Sequence, residues 1–262
     1  MDSNIQYINS ITKAFDILRL FDDETYELGI REISAKLDMN KTTVYRIVKT
    51  LEINNMLVQN PINRKYYPGL SILQMAHKMF KNYGDKDLIY PYMLELQKEF
   101  NEDIVFSVLS GTNVVCIERL ESDNGLILSS RIGRVLPITS GATSKAFLPF
   151  LPEETISSIL DSFETKDKLD NLHSKRTRQS LEADIALIRK KGYAISYSEV
   201  DTGVCAIAVP IFDNYQRVAY SLGICGTTHR MESKGIESMA NKLLEASKIL
   251  SKGLESLKTV QR

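Results

Sequence analysis

The stretch ISAKLDMNKTTVYRIVKTLE, residues 33–52, decides the reading of the first third of this 262-residue chain. Apolar residues recur in it at helical spacing on both sides of a polar break: Ile33 and Leu37, then Val44, Ile47, Val48 and Leu51. Such a repeat marks two amphipathic helices, each with one buried face. Asp38-Met39-Asn40 between them reads as a tight turn, because Asp and Asn tolerate a left-handed backbone. Asn40 is also a good N-cap for the helix that follows. That helix keeps Lys41, Thr42, Thr43, Tyr45, Arg46 and Lys49 off its apolar face.

Outward from this stretch the pattern continues. Ile8, Ile11, Phe15 and Leu18 predict a first helix ending near Phe21, and Ile30, Ile33 and Leu37 a short second one. Leu57-Val58 and Tyr66-Tyr67 flank the basic segment Pro61–Lys65, which reads as a hairpin of two short strands. Helix, short helix, turn, helix, hairpin is the order of a winged helix-turn-helix, whose second motif helix enters the major groove of DNA. The side chains suit that role. Thr42, Thr43 and Tyr45 offer hydroxyls to phosphates or bases, and Arg46 suits a bidentate contact to guanine or a phosphate clamp. Lys49 suits the backbone, and Arg64 and Lys65 at the hairpin tip suit phosphates or a minor groove. With Asn40 and Lys41 at the helix start, these form the expected DNA-contacting set.

Charge follows the same division. Lys+Arg and Asp+Glu are equal at 33 each, yet residues 40–81 hold seven bases against Glu52 alone, a net of +6. Residues 1–39 carry a net of −4 and the remaining 181 a net of −2. A basic stretch in a neutral chain suits phosphate contacts, because Lys and Arg displace condensed counterions; a solvated helix face is the plain alternative. With 43% apolar and 25% charged residues, the composition excludes collagen-like and wholly disordered chains. No apolar run approaches the roughly 18 residues of a membrane span, and the start lacks a secretory pattern, so a cytoplasmic chain without membrane contact is expected.

Beyond the hairpin, Leu70–Lys81 reads as a connecting helix, and the polar run Tyr83–Lys86 as a domain boundary. The expected domains are therefore 1–69, a linker 70–86, and 87–262. In the last, a helix is expected over Asp87–Phe100. Strands fit Ile104–Leu109, Val114–Leu120, Leu126–Ile132, Val135–Ile138, Val204–Phe212 and Arg217–Gly226. Helices fit Gly141–Leu151, Glu153–Phe163, Thr177–Lys191 and Gly235–Leu257. Antiparallel strands beside helices make this an α+β fold. In the last strand Val218, Tyr220, Leu222 and Ile224 share a core-filling face, and Ala219, Ser221, Gly223 and Cys225 share a small one. Ala206 and Ala208 also share a face. Small residues on adjacent strands leave room for a ligand or for closely packed helices.

Catalytic chemistry has little support. An enzyme with a nucleophilic Cys or Ser is the alternative function, with Cys205 or Cys225 beside His173 or His229. No nucleophile elbow, HExxH helix or P-loop is present, and Ser144 and Lys145 are adjacent rather than one helical turn apart. The three Cys, with Cys116, are an odd number without CxxC spacing, and the three His are scattered, so no disulfide framework, metal site, catalytic residue or cofactor is expected.

Three segments, in order, resemble the IclR-type bacterial transcriptional regulators. The first is residues 33–52, in which Asp38 stands where that family usually has Gly. The second is GRVLPITSGATSKA, residues 133–146, and the third is KKGYAISYSEVDTGVCAIAVPIFD, residues 190–213. The resemblance implies an N-terminal winged helix-turn-helix, a linker helix, and a C-terminal GAF-like antiparallel sheet domain flanked by helices. It implies a regulator that binds a double-stranded DNA operator under control of a small-molecule effector, often an organic acid, and that forms a homodimer or homotetramer. Carried over by position, the effector pocket would be lined by Ala142, Thr143, Ser196, Ala206, Gly223 and Cys225, with Glu199 on the loop bearing the family's acidic residue. Ser144 stands where Gly is usual. Ser196, Ala206, Gly223 and Cys225 replace the Asp, Cys, Ser and Ser of one branch, so the ligand does not carry over. Backbone amides around Gly141–Ser144, at an expected helix start, are an expected anion site.

Overall fold

The computed structural model describes residues 7–22, 25–82, 85–125, 130–166 and 177–259. The chain divides into two compact units, Met1–Gly84 and Asp85–Arg262.

The first unit is a winged helix. Its helices are α1 (Asn9–Leu18), α2 (Ile30–Lys36), α3 (Lys41–Ile53) and α4 (Leu70–Asn82), and β1 (Leu57–Gln59) pairs antiparallel with β2 (Tyr66–Pro68). The turn before α3 forms as its composition requires. Asp38 adopts a left-handed φ of 49°, and the Thr42 N–H donates to Asn40 Oδ1 at 2.8 Å. Ile17, Leu28, Ile33, Val44, Val48, Leu57 and Tyr66 close a small core. The expected stripe on α1 is not its buried face: Ile8, Ile11 and Phe15 remain exposed, Leu18 packs half-buried against the core, and Ile17, outside the stripe, goes into it.

The second unit is built on a six-stranded antiparallel sheet of order β5-β4-β3-β8-β7-β6. Its strands are β3 (Asp103–Ser110), β4 (Asn113–Leu120), β5 (Val135–Pro137), β6 (Ala194–Tyr197), β7 (Val204–Phe212) and β8 (Val218–Thr227). Helices α5 (Asp85–Phe100), α9 (Thr228–Lys234) and α10 (Ile236–Thr259) pack on one another and on β3, β7 and β8. Helices α6 (Ala142–Lys145), α7 (Glu153–Lys166) and α8 (Arg178–Lys191) make a second group, with α6 reaching the central strands.

Several sequence expectations need correction. The helix expected over Gly141–Leu151 breaks after Lys145, and Leu148–Phe150 forms a single 3₁₀ turn. Pro149 explains the break: it has no N–H to give residue 145, and its ring would crowd that carbonyl. Ser130–Ile132 are not strand, and residues 126–129 of that expected strand, like His173 and Tyr83-Gly84, lie outside the described residues. The edge strand β6 and the short helix α9 were not expected. Each covers too few residues for its period to stand out, four and seven respectively.

Register explains the small-residue stripe. Ala206 lies opposite Cys225, Ala208 opposite Gly223, and Pro210 opposite Ser221. The Ser221 hydroxyl donates to the Thr143 carbonyl oxygen at 2.7 Å, so this face meets α6. A Cβ at Gly223 would fall 2.9 Å from both the Thr143 methyl and the Ile207 carbonyl oxygen. Gly223 is thus a close-packing position, not a cavity wall. Beside it, Ala206 and Cys225 do border a cavity. The stripe serves both of the uses that its composition left open.

Candidate functional site

In the winged helix, the amphipathic division of α3 sorts the candidate residues. Val44 and Val48 are buried; Asn40, Lys41, Thr42, Tyr45 and Arg46 are exposed, and Thr43 is half-buried. The basic residues are not equivalent. Lys49 Nζ lies 2.6 Å from Glu52 Oε2, and this contact raises its pKa. Lys65 Nζ lies 2.8 Å from Glu32 Oε1 and helps to lower the Glu32 pKa, together with the Gly29 N–H. Arg64, at the wing tip, is exposed, with φ 61°. The wing is braced from a distance: Glu27 accepts from Asn60 Nδ2 at 2.8 Å and from Asn63 Nδ2 at 2.6 Å. The sequence reading missed Glu27, because that contact spans more than thirty residues.

In the sheet domain a cavity of about 20 Å³ lies between α6, the β6–β7 loop and the sheet. Ala142, Thr143, Ser196, Ala206 and Cys225 line it; the loop supplies Glu199, Val200 and Asp201. Gly223, expected among the lining residues, lies beneath Thr143 instead. Two of the amides expected to hold an anion are already engaged. The Gly141 N–H donates to Glu199 Oε2 at 3.0 Å, and the Ala142 N–H to Ser196 Oγ at 3.0 Å.

Behind the cavity sits a buried cation that sequence reading did not assign. Lys145 is 1% exposed, and its ammonium donates to Glu199 Oε1 at 2.6 Å, Asp184 Oδ2 at 2.7 Å and the Ile195 carbonyl oxygen at 3.1 Å. A charge so far from water needs carboxylates and acceptors on its donors, and here it has them. Next to it, Ser144 Oγ is buried and finds no hydrogen-bond partner among the described residues. A family motif with Gly at that position is the one signal that pointed to it.

The thiols are not poised for catalysis. Burial pushes Cys116 up to about 11 and Cys205 to about 12, and pushes Cys225 up as well. Nucleophilic chemistry requires the thiolate, which these environments suppress. Among the described residues no cluster of His, Cys, Asp and Glu is suited to a metal ion. No helix among them is long and apolar enough to cross a membrane.

A winged helix with an exposed basic helix face, on the same chain as an α+β domain with a small cavity, defines a helix-turn-helix transcriptional regulator with an effector-binding domain. The comparisons agree. Residues 10–61 match the IclR helix-turn-helix domain, and residues 81–252 match the bacterial transcriptional regulator IclR C-terminal domain. The chain belongs to the IclR family. It is 29% identical over 248 residues to the HTH-type transcriptional regulator XynR of Escherichia coli, covering 94% of this chain and 97% of that one. It is 30% identical over 254 residues to the regulator KdgR of Dickeya chrysanthemi, covering 96% and 81%. Two solved structures share the fold. The Thermotoga maritima IclR has a TM-score of 0.73 at 23% identity, covering 95% of this chain and 100% of that one. An IclR homologue from Microbacterium hydrocarbonoxydans, complexed with 4-hydroxybenzoate, has a TM-score of 0.80 at 18% identity, covering 94% and 99%. The chain is a DNA-binding regulator, not an enzyme.

Proposed function

We propose that paired copies of this chain read a pseudo-palindromic operator, and that a small metabolite in the sheet-domain cavity alters how well they hold it. The observation that carries the reading is the division of α3, with Val44 and Val48 in the core and Lys41, Thr42, Tyr45 and Arg46 exposed opposite them. Arg46 contacts a guanine edge, Thr42 and Thr43 contact bases or phosphates, and Lys41 and Arg64 neutralise phosphates. Lys49 is engaged within α3 by Glu52, and Lys65 ties the wing to α2 through Glu32. A regulator of this kind works in the cytoplasm, where its operator is.

Pairing is supported by α1. Ile8, Ile11 and Phe15 are 64%, 50% and 53% exposed, an apolar stripe that a second copy would cover. A homotetramer would join two such dimers. Helix α4 serves as the connection between the DNA-binding unit and the effector domain. For the ligand, an organic acid is the class we favour: the related regulator from Microbacterium hydrocarbonoxydans holds one, 4-hydroxybenzoate. Ala142, Thr143, Ser196, Ala206 and Cys225 would surround it.

Fluorescence anisotropy against fragmented genomic DNA at several salt concentrations tests the reading. A sequence-selective complex that weakens as salt rises is expected, because bound cations release counterions. No selective complex at any ionic strength would refute it. In sedimentation velocity, Phe15→Glu should shift the dimer towards monomer.

A further inference from the structure

We infer that Glu199 is a catch that holds the Ser198–Gly203 loop shut over the cavity, and that an effector enters only when this catch releases. The inference rests on the cavity being the effector pocket.

The cavity of about 20 Å³ has room for about one water molecule. A metabolite larger than water fits there only with part of itself outside or with the lining widened, and the β6–β7 loop is part of that lining. The β6–β7 loop is closed by bonds that a swing of its Glu199 end about Gly203 would break. The Ser198 N–H donates to the Val204 carbonyl oxygen at 2.8 Å, the Gly203 N–H to Ser198 Oγ at 3.0 Å, and the Val204 N–H to the Asp201 carbonyl oxygen at 3.2 Å. Its Gly203 end is tethered to the start of α9, where the Thr228 N–H and hydroxyl both donate to the Gly203 carbonyl oxygen, at 2.9 and 3.1 Å. Its Glu199 end is held across the cavity by the Gly141 N–H and the Lys145 ammonium. One end is the hinge and the other the fastening.

The carboxylate suits this task because its two oxygens accept from two donors at once. Glutamine in its place offers one acceptor and one NH₂, so it keeps one bond and sets a donor against the other. When Glu199 swings away, Lys145 keeps Asp184 as its counter-charge, so opening does not strand a buried cation. The vacated position faces two donors, and an effector that stabilises the open loop needs an acceptor group there. An effector with that group shifts the population towards the open loop.

Hydrogen exchange on the full-length protein, with no ligand or DNA, tests this in wild type, Glu199→Gln and Asp184→Asn. In Glu199→Gln the amides of Gly141, Ser198, Gly203 and Val204 should exchange about tenfold faster or more, the loss expected for a hydrogen bond to a charged group. Amides of Ile207 and Leu222 in the sheet should keep wild-type rates. Asp184→Asn leaves the Glu199 bonds in place and should leave loop exchange unchanged. Unchanged loop exchange in Glu199→Gln would overturn the proposal. Equal acceleration in both variants would overturn it too, since Lys145 burial rather than the catch would then hold the loop. Operator titration of the same proteins reads the regulator assignment separately, so the two can fail independently.

Discussion

Arg46 and Lys145 are both cations in candidate sites, and they face opposite physical problems. Arg46 stands in water on α3, and its neighbours in the site, Thr42 and Tyr45, are within four residues of it. Lys145 is cut off from water and held by carboxylates 39 and 54 residues away in the chain. An exposed site needs a rigid helix beneath it and little else. A buried site needs every donor matched by an acceptor from a distant segment. Changes to the first should be felt in binding, and changes to the second in stability.

The largest expected effect falls on the buried side. Lys145→Met leaves the Glu199 and Asp184 carboxylates without their cation and should destabilise the sheet domain by about 3–5 kcal/mol. Denaturant unfolding measures the loss, and exchange of the Val48 amide in the winged helix should stay unchanged. Next is Arg46→Ala, which should weaken operator binding by about 1–3 kcal/mol and relax preference at one base pair, with the melting temperature unchanged. Uniform weakening across sequences would place Arg46 on a phosphate instead, and a drop in melting temperature would break the contrast itself. Ser144→Ala should raise stability by about 1 kcal/mol in thermal unfolding, because it removes a buried hydroxyl that has no partner among the described residues. Smallest is Lys49→Ala. Lys49 is held by Glu52, so operator affinity should change by less than about 0.5 kcal/mol, and the salt slope should stay the same. A slope lower by about one would show that Glu52 gives Lys49 up to a phosphate.

The same contrast governs what could be read from the residues. In the winged helix the signals are local: Asp38 supplies the turn, Asn40 caps α3 two residues on, and the apolar period is that of the helix itself. The exception was Glu27, whose partners on the wing come from another element. In the sheet domain, the small face of β8 was visible as a pattern, but its meaning depended on register. Gly223 opposite Ala208 became a packing contact, and Cys225 opposite Ala206 became a cavity wall. Lys145 carried no local sign of burial, because its partners lie on α8 and the β6–β7 loop. The break at residues 146–147 was legible in principle from Pro149, whose missing N–H ends an ordinary helix.

The three native cysteines are all buried, with thiols that stay protonated at neutral pH. For labelling work this makes the wild-type chain a quiet background. A cysteine introduced on its surface would be the one thiol ready to react with a maleimide dye. Spectroscopic reporters can therefore be attached without first engineering the natural sulfurs away, and the protein should store without added reductant.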